Sequence, residues 1–189
     1  MTQEQVLGVF RRCGALLQGH FVLRSGRHSR TFFQCALVLQ EPVATSELCG
    51  ALVEKVKSAA WSFDSVISPA MGGILVGHEV ARHLGKRHIF AEKDEGKLKI
   101  RRFEVKPGER FLVAEDVITT GSAVKEVVAL VKALGGEVAG VACLVDRSET
   151  APQFGAPMCS LVKLPVETFE ATAVPPDLQK IPAVKPGSR

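Results

Sequence analysis

Apolar residues of the first segment recur at helical spacing: Val6, Val9, Phe10, Cys13 and Leu17 share one face over about residues 2–17. Thr2, followed three residues later by Gln5, has the form of a capping box that starts that helix. Residues 21–39 keep no single period, and a polar Ser25-Gly26-Arg27-His28-Ser29-Arg30 patch precedes Phe32-Phe33. A second helix is predicted over about 45–59, with Leu48, Leu52, Val53 and Val56 on one face. Beyond it, short apolar runs alternate with helices. Residues 65–68, 87–91, 110–114, 138–145 and 159–162 read as strands, and helices are predicted from the Gly72-Gly73 turn to about 84 and over about 123–134. Strand and helix in alternation predict an α/β fold: a central, mostly parallel sheet flanked by helices.

Two segments stand apart. Residues 93–108 carry Lys93, Lys97, Lys99, Arg101, Arg102 and Lys106 among few apolar positions, which predicts either a hairpin or a mobile loop. Residues 171–189 contain Pro175, Pro176, Pro182 and Pro186 and are expected to be an extended or frayed tail. No repeat and no interdomain linker is visible, so the 189 residues read as one domain.

Composition narrows the class. Apolar residues at 46% exclude a chain too polar to offset its ordering entropy. No stretch approaches the ~18 consecutive apolar residues of a membrane span, and the N-terminus lacks a basic and then apolar secretory signal. A soluble, cytoplasmic protein with no membrane partner is expected. The 24 basic against 20 acidic residues leave a net charge of +4, enough to favour small phosphorylated anions but not the basic stripe of a nucleic-acid binder. The five cysteines are widely spaced with no Cys-x-x-Cys, which gives no support to a disulfide framework or zinc knuckle. His78, His83 and His88 recur every five residues and scatter around a helix, so no metal site built from protein alone is expected.

The chemistry concentrates in residues 111–123, Phe-Leu-Val-Ala-Glu-Asp-Val-Ile-Thr-Thr-Gly-Ser-Ala. An apolar strand ends in two adjacent carboxylates, Glu115 and Asp116, and a Thr119-Thr120-Gly121-Ser122 turn then opens a helix. Ligands of open parallel sheets bind at the carboxyl ends of strands. Such a turn presents backbone N–H groups and hydroxyls at the positive end of a helix, which holds a phosphate without a lysine. Two carboxylates beside a phosphate repel it unless something intervenes. A sugar does so, because its hydroxyls donate to the carboxylates while its phosphate sits in the turn. The run therefore suggests a ribose 5-phosphate cradle; the bland alternative is a helix cap beside surface acids. Neither a P-loop nor G-x-G-x-x-G occurs.

Residues 113–123 resemble the phosphoribosyl-diphosphate (PRPP) motif of the type I phosphoribosyltransferases, and other segments are similar to orotate phosphoribosyltransferases in particular. Residues 21–33 resemble that family's N-terminal signature, Asp146-Arg147 matches its Asp-Arg pair, and residues 68–74 resemble its pyrophosphate loop. These motifs lie in the family's order. The resemblance implies the type I phosphoribosyltransferase fold, with residues 1–40 as a hood, 93–108 as a mobile catalytic loop and 171–189 as an extended tail. It implies that Glu115 and Asp116 hold the ribose hydroxyls and that Thr119, Thr120, Gly121, Ser122 and Ala123 hold the 5-phosphate. Val117 and Ile118 complete that cradle, while Arg24, Met71, Gly72, Lys93 and Lys97 approach the diphosphate. Phe32, Phe33, Thr119 and Arg147 then receive orotate, and Lys93 and Asp116 are the catalytic candidates. Met71-Gly72 stands where many members have Tyr-Lys, and Arg24 where many have Lys.

The implied activity is transfer of the 5-phosphoribosyl group from PRPP to orotate, giving orotidine 5′-monophosphate and pyrophosphate in pyrimidine biosynthesis. Mg²⁺ arrives with PRPP, and the enzyme is a homodimer with shared active sites. Two other functions use the same motif. A purine-base phosphoribosyltransferase would not need the 25–33 signature or Arg147. A non-catalytic, RNA-binding sensor of PRPP or nucleotide would need a coherent basic face, which the sequence does not display.

Overall fold

The computed structural model describes residues 1–23, 25–164 and 167–186. Helix α1 (Gln3–Arg12) begins on the expected capping box, with the Thr2 N–H donating to Gln5 Oε1 at 2.7 Å and the Gln5 N–H to Thr2 Oγ1 at 3.3 Å. It ends at Arg12 and not near Leu17, because Gly14 takes φ +65° and turns the chain. Leu16 and Leu17 instead open β1 (Leu16–Val22), which pairs antiparallel with β2 (His28–Phe33). The stretch expected to be irregular is thus a hairpin followed by α2 (Ala36–Leu39). Its alternation is hard to see because the register shifts between Gln18 and Phe21.

Helix α3 (Pro42–Ser58) starts earlier than predicted, since Pro42 sits where a helix needs no N–H partner. The alternating half follows as β3 (Ser65–Pro69), α4 (Gly72–Leu84), β4 (Arg87–Asp94), β5 (Lys97–Lys99), β6 (Arg110–Ile118), α5 (Ser122–Ala133), β7 (Glu137–Asp146) and β8 (Met158–Lys163). The chain ends with β9 (Thr168–Phe169) and α6 (Pro176–Gln179). The larger sheet has the order β5-β4-β3-β6-β7-β8, parallel throughout except for β5 at its edge.

Alternation along the strands divides the core. In β6, Leu112 and Ala114 join a cluster with Phe10, Leu48, Leu52, Val76 and Val80, so α1, α3 and α4 cover that face. Phe111 and Val113 point into a second cluster with Val124, Val127 and Val131 of α5. Burying each large apolar side chain stabilises the fold by roughly 1.5–3 kcal/mol, which is why the central strands read as continuous apolar runs.

Residues 93–108 are a hairpin in their first part. The chain reverses between β4 and β5 with positive φ at Glu95 and Gly96, and Lys93 pairs with Leu98 across the turn. The tail differs from the extended form expected of it. Leu178 on α6 is buried, and Val184 pairs with the outer edge of β1, its N–H donating to the His20 carbonyl and its carbonyl accepting from the Val22 N–H, both at 2.8 Å. The exposed edge of β1 takes up this segment despite its prolines. Together β1, β2 and β9 form a separate three-stranded sheet.

Candidate active site

From β3 the chain leads to β4 on one side of the sheet, whereas β6 leads to β7 on the other. A crevice opens at the carboxyl ends of β3 and β6, where ligands of such sheets bind. The polar end of β6 stays in the strand: Val117 pairs with Val145 and Ile118 with Asp146. Glu115 is buried, its Oε1 accepting from the Asp116 N–H at 3.1 Å, and Asp116 Oδ1 accepts from the Val117 N–H at 2.7 Å. Burial, reinforced by the Asp116 carboxylate beside it, pushes the Glu115 carboxyl pKa well above the ordinary range.

The first residues of α4 pack directly on these acids. A methyl group at Gly72 would collide with Asp116 Oδ2, and one at Gly73 would lie 2.9 Å from Glu115 Oε1. The absence of side chains at 72 and 73 therefore brings an uncapped helix N-terminus against both carboxylates. The N-terminus of α5 is likewise without a side-chain cap. Gly121, at φ +72°, is its N-cap and offers no side chain to the first N–H groups. A Cβ there would lie 2.8 Å from the Phe154 ring, so packing as well as φ demands glycine. Thr119, Thr120 and Ser122 are exposed, and the 3.4 Å from Thr120 Oγ1 to Ser122 Oγ is long enough to leave both hydroxyls available.

At the end of β7 stands Arg147. Its N–H donates to the Ile118 carbonyl at 2.8 Å, which ties it to the end of β6. Its guanidinium carbon lies 5.9 Å from the centroid of the Phe33 ring, and its buried Nε has no hydrogen-bond partner among the described residues. Burial lowers the pKa of this guanidinium, which nonetheless remains cationic. A half-buried cation with a buried, unpaired donor is costly until an anion reaches it. Phe33 itself is a core residue, edge-on to Phe10 at 5.4 Å, so it supports Arg147 from beneath. Phe32 is half-buried and packs at 5.8 Å on Phe21. Cys35, just after β2, is buried within electrostatic reach of Asp116, Arg147 and Glu115, which brings the end of that hairpin near the ends of β6 and β7.

The cations of the hairpin divide into two groups. Lys99 pairs with Asp94 at 2.7 Å, Arg102 with Glu92 at 2.9 Å, and Arg101 bridges both acids at 3.5–3.6 Å. Lys93 and Lys97 are exposed and form no ion pair among the described residues. Met71 is 83% exposed in the loop between β3 and α4. Arg24 lies outside the described residues. A shallow depression lined by Val43, Ser46, Gly50, Glu79 and Arg82 belongs to another part of α3 and α4 and contains none of these groups.

Sequence reasoning had no role for Ser148. Asp146 Oδ1 accepts from both the Ser148 N–H, at 2.9 Å, and the Ser148 hydroxyl, at 2.6 Å, which fixes the loop on either side of Arg147. The signal was present as an Asp-x-Ser spacing, the pattern of an Asx turn.

Comparison with known proteins agrees with this geometry. The model of the phosphoribosyl transferase domain family matches residues 39–180. A protein named orotate phosphoribosyltransferase from Desulforamulus reducens is 50% identical over 190 aligned residues, covering 100% of this chain and 98% of its own length. Among solved structures, orotate phosphoribosyltransferase from Aeropyrum pernix superposes with a TM-score of 0.73 at 25% identity, covering 84% of this chain and 93% of that one. The Mycobacterium tuberculosis orotate phosphoribosyltransferase, in complex with inorganic phosphate, gives a TM-score of 0.65 at 26% identity, covering 86% and 95%.

Proposed function

The chain belongs to the orotate phosphoribosyltransferase family, and from that premise we propose how its residues divide the work. It transfers the phosphoribosyl group of PRPP to orotate, yielding orotidine 5′-monophosphate and pyrophosphate. In this reaction a bond forms from a ring nitrogen of orotate to ribose C1 as the bond from C1 to the diphosphate oxygen breaks. Positive charge grows on the sugar and negative charge on the leaving group. The orotate N–H is already acidic, so no strong protein base is needed, and positioning and electrostatics are the main demands on the protein.

In this assignment Thr119, Thr120, Gly121, Ser122 and Ala123 hold the 5-phosphate at the uncapped start of α5. Asp116 and Glu115 accept hydrogen bonds from the ribose hydroxyls, with Val117 and Ile118 lining the floor. Arg147 pairs with the orotate carboxylate while Phe32 and Thr119 flank the ring. Met71 and Gly72 border the diphosphate, and Lys93 and Lys97 approach it from the hairpin, where no acid of the described residues occupies them. The adjacent carboxylates suit a hard divalent cation that keeps its waters and is shared with substrate phosphates, so Mg²⁺ carried by PRPP fits this donor set. When bound, that ion neutralises diphosphate charge and orders the sugar.

The finer assignments extend to assembly and place. The charged hairpin of β4 and β5 forms one edge of the sheet, and this position suits a homodimer in which each hairpin reaches its partner's site. The described residues contain no helix long and apolar enough to cross a membrane. The cysteines are unpaired, as suits the reducing cytoplasm.

The observation that carries the choice of base is Arg147, a half-buried guanidinium whose buried Nε has no hydrogen-bond partner among the described residues, beside the end of β6. The test is a spectrophotometric assay with PRPP and Mg²⁺ and, in parallel, orotate, adenine, hypoxanthine or uracil. Orotate absorbance should fall, stop falling on chelation of Mg²⁺, and the other bases should remain unchanged. Turnover of another base in place of orotate would move the substrate assignment.

A further inference from the structure

The hood sheet and the loop carrying Arg147 are joined by a polar chain that the assignments above leave unused. Arg27, at the start of β2, spends its whole guanidinium on the segment around β9. Its Nε donates to Thr168 Oγ1 at 2.7 Å, its Nη2 donates to the Thr168 carbonyl at 3.0 Å, and its Nη1 pairs with Glu170. The Thr168 hydroxyl has one proton, and it donates this to Glu149 Oε1 at 3.1 Å. Its lone pair is therefore left for Arg27, and the polarity of the chain is fixed from Arg27 through Thr168 to Glu149. Glu149 follows Arg147 by two residues on the same loop, and Phe32 and Phe33 continue the strand that Arg27 precedes. β2 and β9 already pair as strands, so the Arg27 fork and the Thr168 hydroxyl add a side-chain link that carries this sheet on to the loop bearing Arg147.

We propose that Arg27 is a positioning residue for orotate: through Thr168 it sets the distance between the strand bearing Phe32 and Phe33 and the loop bearing Arg147. This rests on the assignment of Arg147 and Phe32 to the base. A guanidinium suits the task because its planar fork meets a hydroxyl, a carbonyl and a carboxylate at once, which an ammonium on a flexible stem does not. The phosphate end lies on β6 and α5 and needs none of these contacts. Loosening the chain should therefore weaken orotate alone.

Steady-state kinetics with each substrate varied separately tests this. Arg27→Ala should raise the orotate KM about tenfold, while the PRPP KM stays within about twofold and kcat falls less than the orotate KM rises. Thr168→Val keeps the side-chain shape and removes only the linking hydroxyl, and it should raise the orotate KM by a similar factor. The double variant should be no worse than either single one, because both break the same chain. Arg27→Lys should recover only part of the loss. An unchanged orotate KM in Thr168→Val would overturn the proposal, as would parallel rises in both KM values. Failure of the unaltered protein to convert orotate would instead defeat the assignment of the base site, a result distinct from an active enzyme indifferent to Arg27.

Discussion

The proposed phosphate end and the proposed base end of this site are built in opposite ways. The phosphate end is one contiguous run, residues 111–123, whose strand and helix are held by the sheet and by α5 packing. The base end is assembled from segments far apart in the chain: β2, the loop after β7, and β9 with the tail that docks on β1. A local run has its geometry fixed as soon as its own strand and helix form. An assembled region depends on contacts closed over long loops, each costing entropy before it contributes. The first is expected to tolerate little chemical change and the second little mechanical change.

Replacing the acid least tolerant of change gives the largest expected effect. Asp116→Asn is nearly isosteric and preserves the acceptor for the Val117 N–H, so the fold should hold and thermal melting should move little. The loss of charge facing the sugar should lower kcat by roughly a hundredfold or more. Its orotate KM should stay near that of the unaltered enzyme. A variant with near-normal turnover would break the ribose-cradle assignment, and one with a large orotate KM change would break the separation of the two ends.

Lys93→Gln probes the hairpin that β4 and β5 form at the edge of the sheet. The neighbouring acids Glu92 and Asp94 are already occupied by Arg101, Arg102 and Lys99, so removing Lys93 disturbs no ion pair of the described residues. The expected outcome is a kcat about tenfold lower with a smaller change in either KM, since stabilisation of the leaving diphosphate is needed mainly in the transition state. If kcat is unchanged, Lys97 is the better candidate for that cation; Arg102 is engaged with Glu92.

The same contrast explains what the sequence revealed. The Glu-Asp-Val-Ile-Thr-Thr-Gly-Ser run declared strand end, acids and phosphate turn in order, because each depends on its immediate neighbours. Gly14, by contrast, stops α1 well before Leu17, although the apolar period runs on through both Cys13 and Leu17. Val184 pairs with Phe21 across almost the full length of the chain, and Pro175, Pro176 and Pro182 gave every local reason to expect a frayed tail. Phe33 shows the limit for single residues. An aromatic pair advertises a ring-binding site, but only the three-dimensional structure puts Phe33 in the core beneath Arg147 and leaves Phe32 half-buried against Phe21. The Arg27-Thr168-Glu149 chain had no sequence signal at all, because its members are neighbours in no element.

The smallest effect concerns stability, and its sign separates a functional acid from a structural one. The folded protein holds the Glu115 proton more tightly than the unfolded chain, where its pKa is near the ordinary 4.5. Above that pH the unfolded state releases the proton first, so the folded state loses stability as pH rises from about 4.5 toward the raised folded value. Glu115→Gln keeps an acceptor for the Asp116 N–H and has nothing to ionise. It should therefore be more stable than the unaltered protein at neutral pH, by about 1 kcal/mol, and equal to it below about pH 4. Denaturant unfolding at several pH values measures the difference. The same variant should lose activity, and PRPP with Mg²⁺ should stabilise it less than the unaltered enzyme, because cation and sugar no longer meet a second carboxylate. A purely structural Glu115 would show the opposite pair of results: lower stability at neutral pH and intact ligand stabilisation. An acid that weakens the free protein and strengthens the loaded one is retained for what it binds.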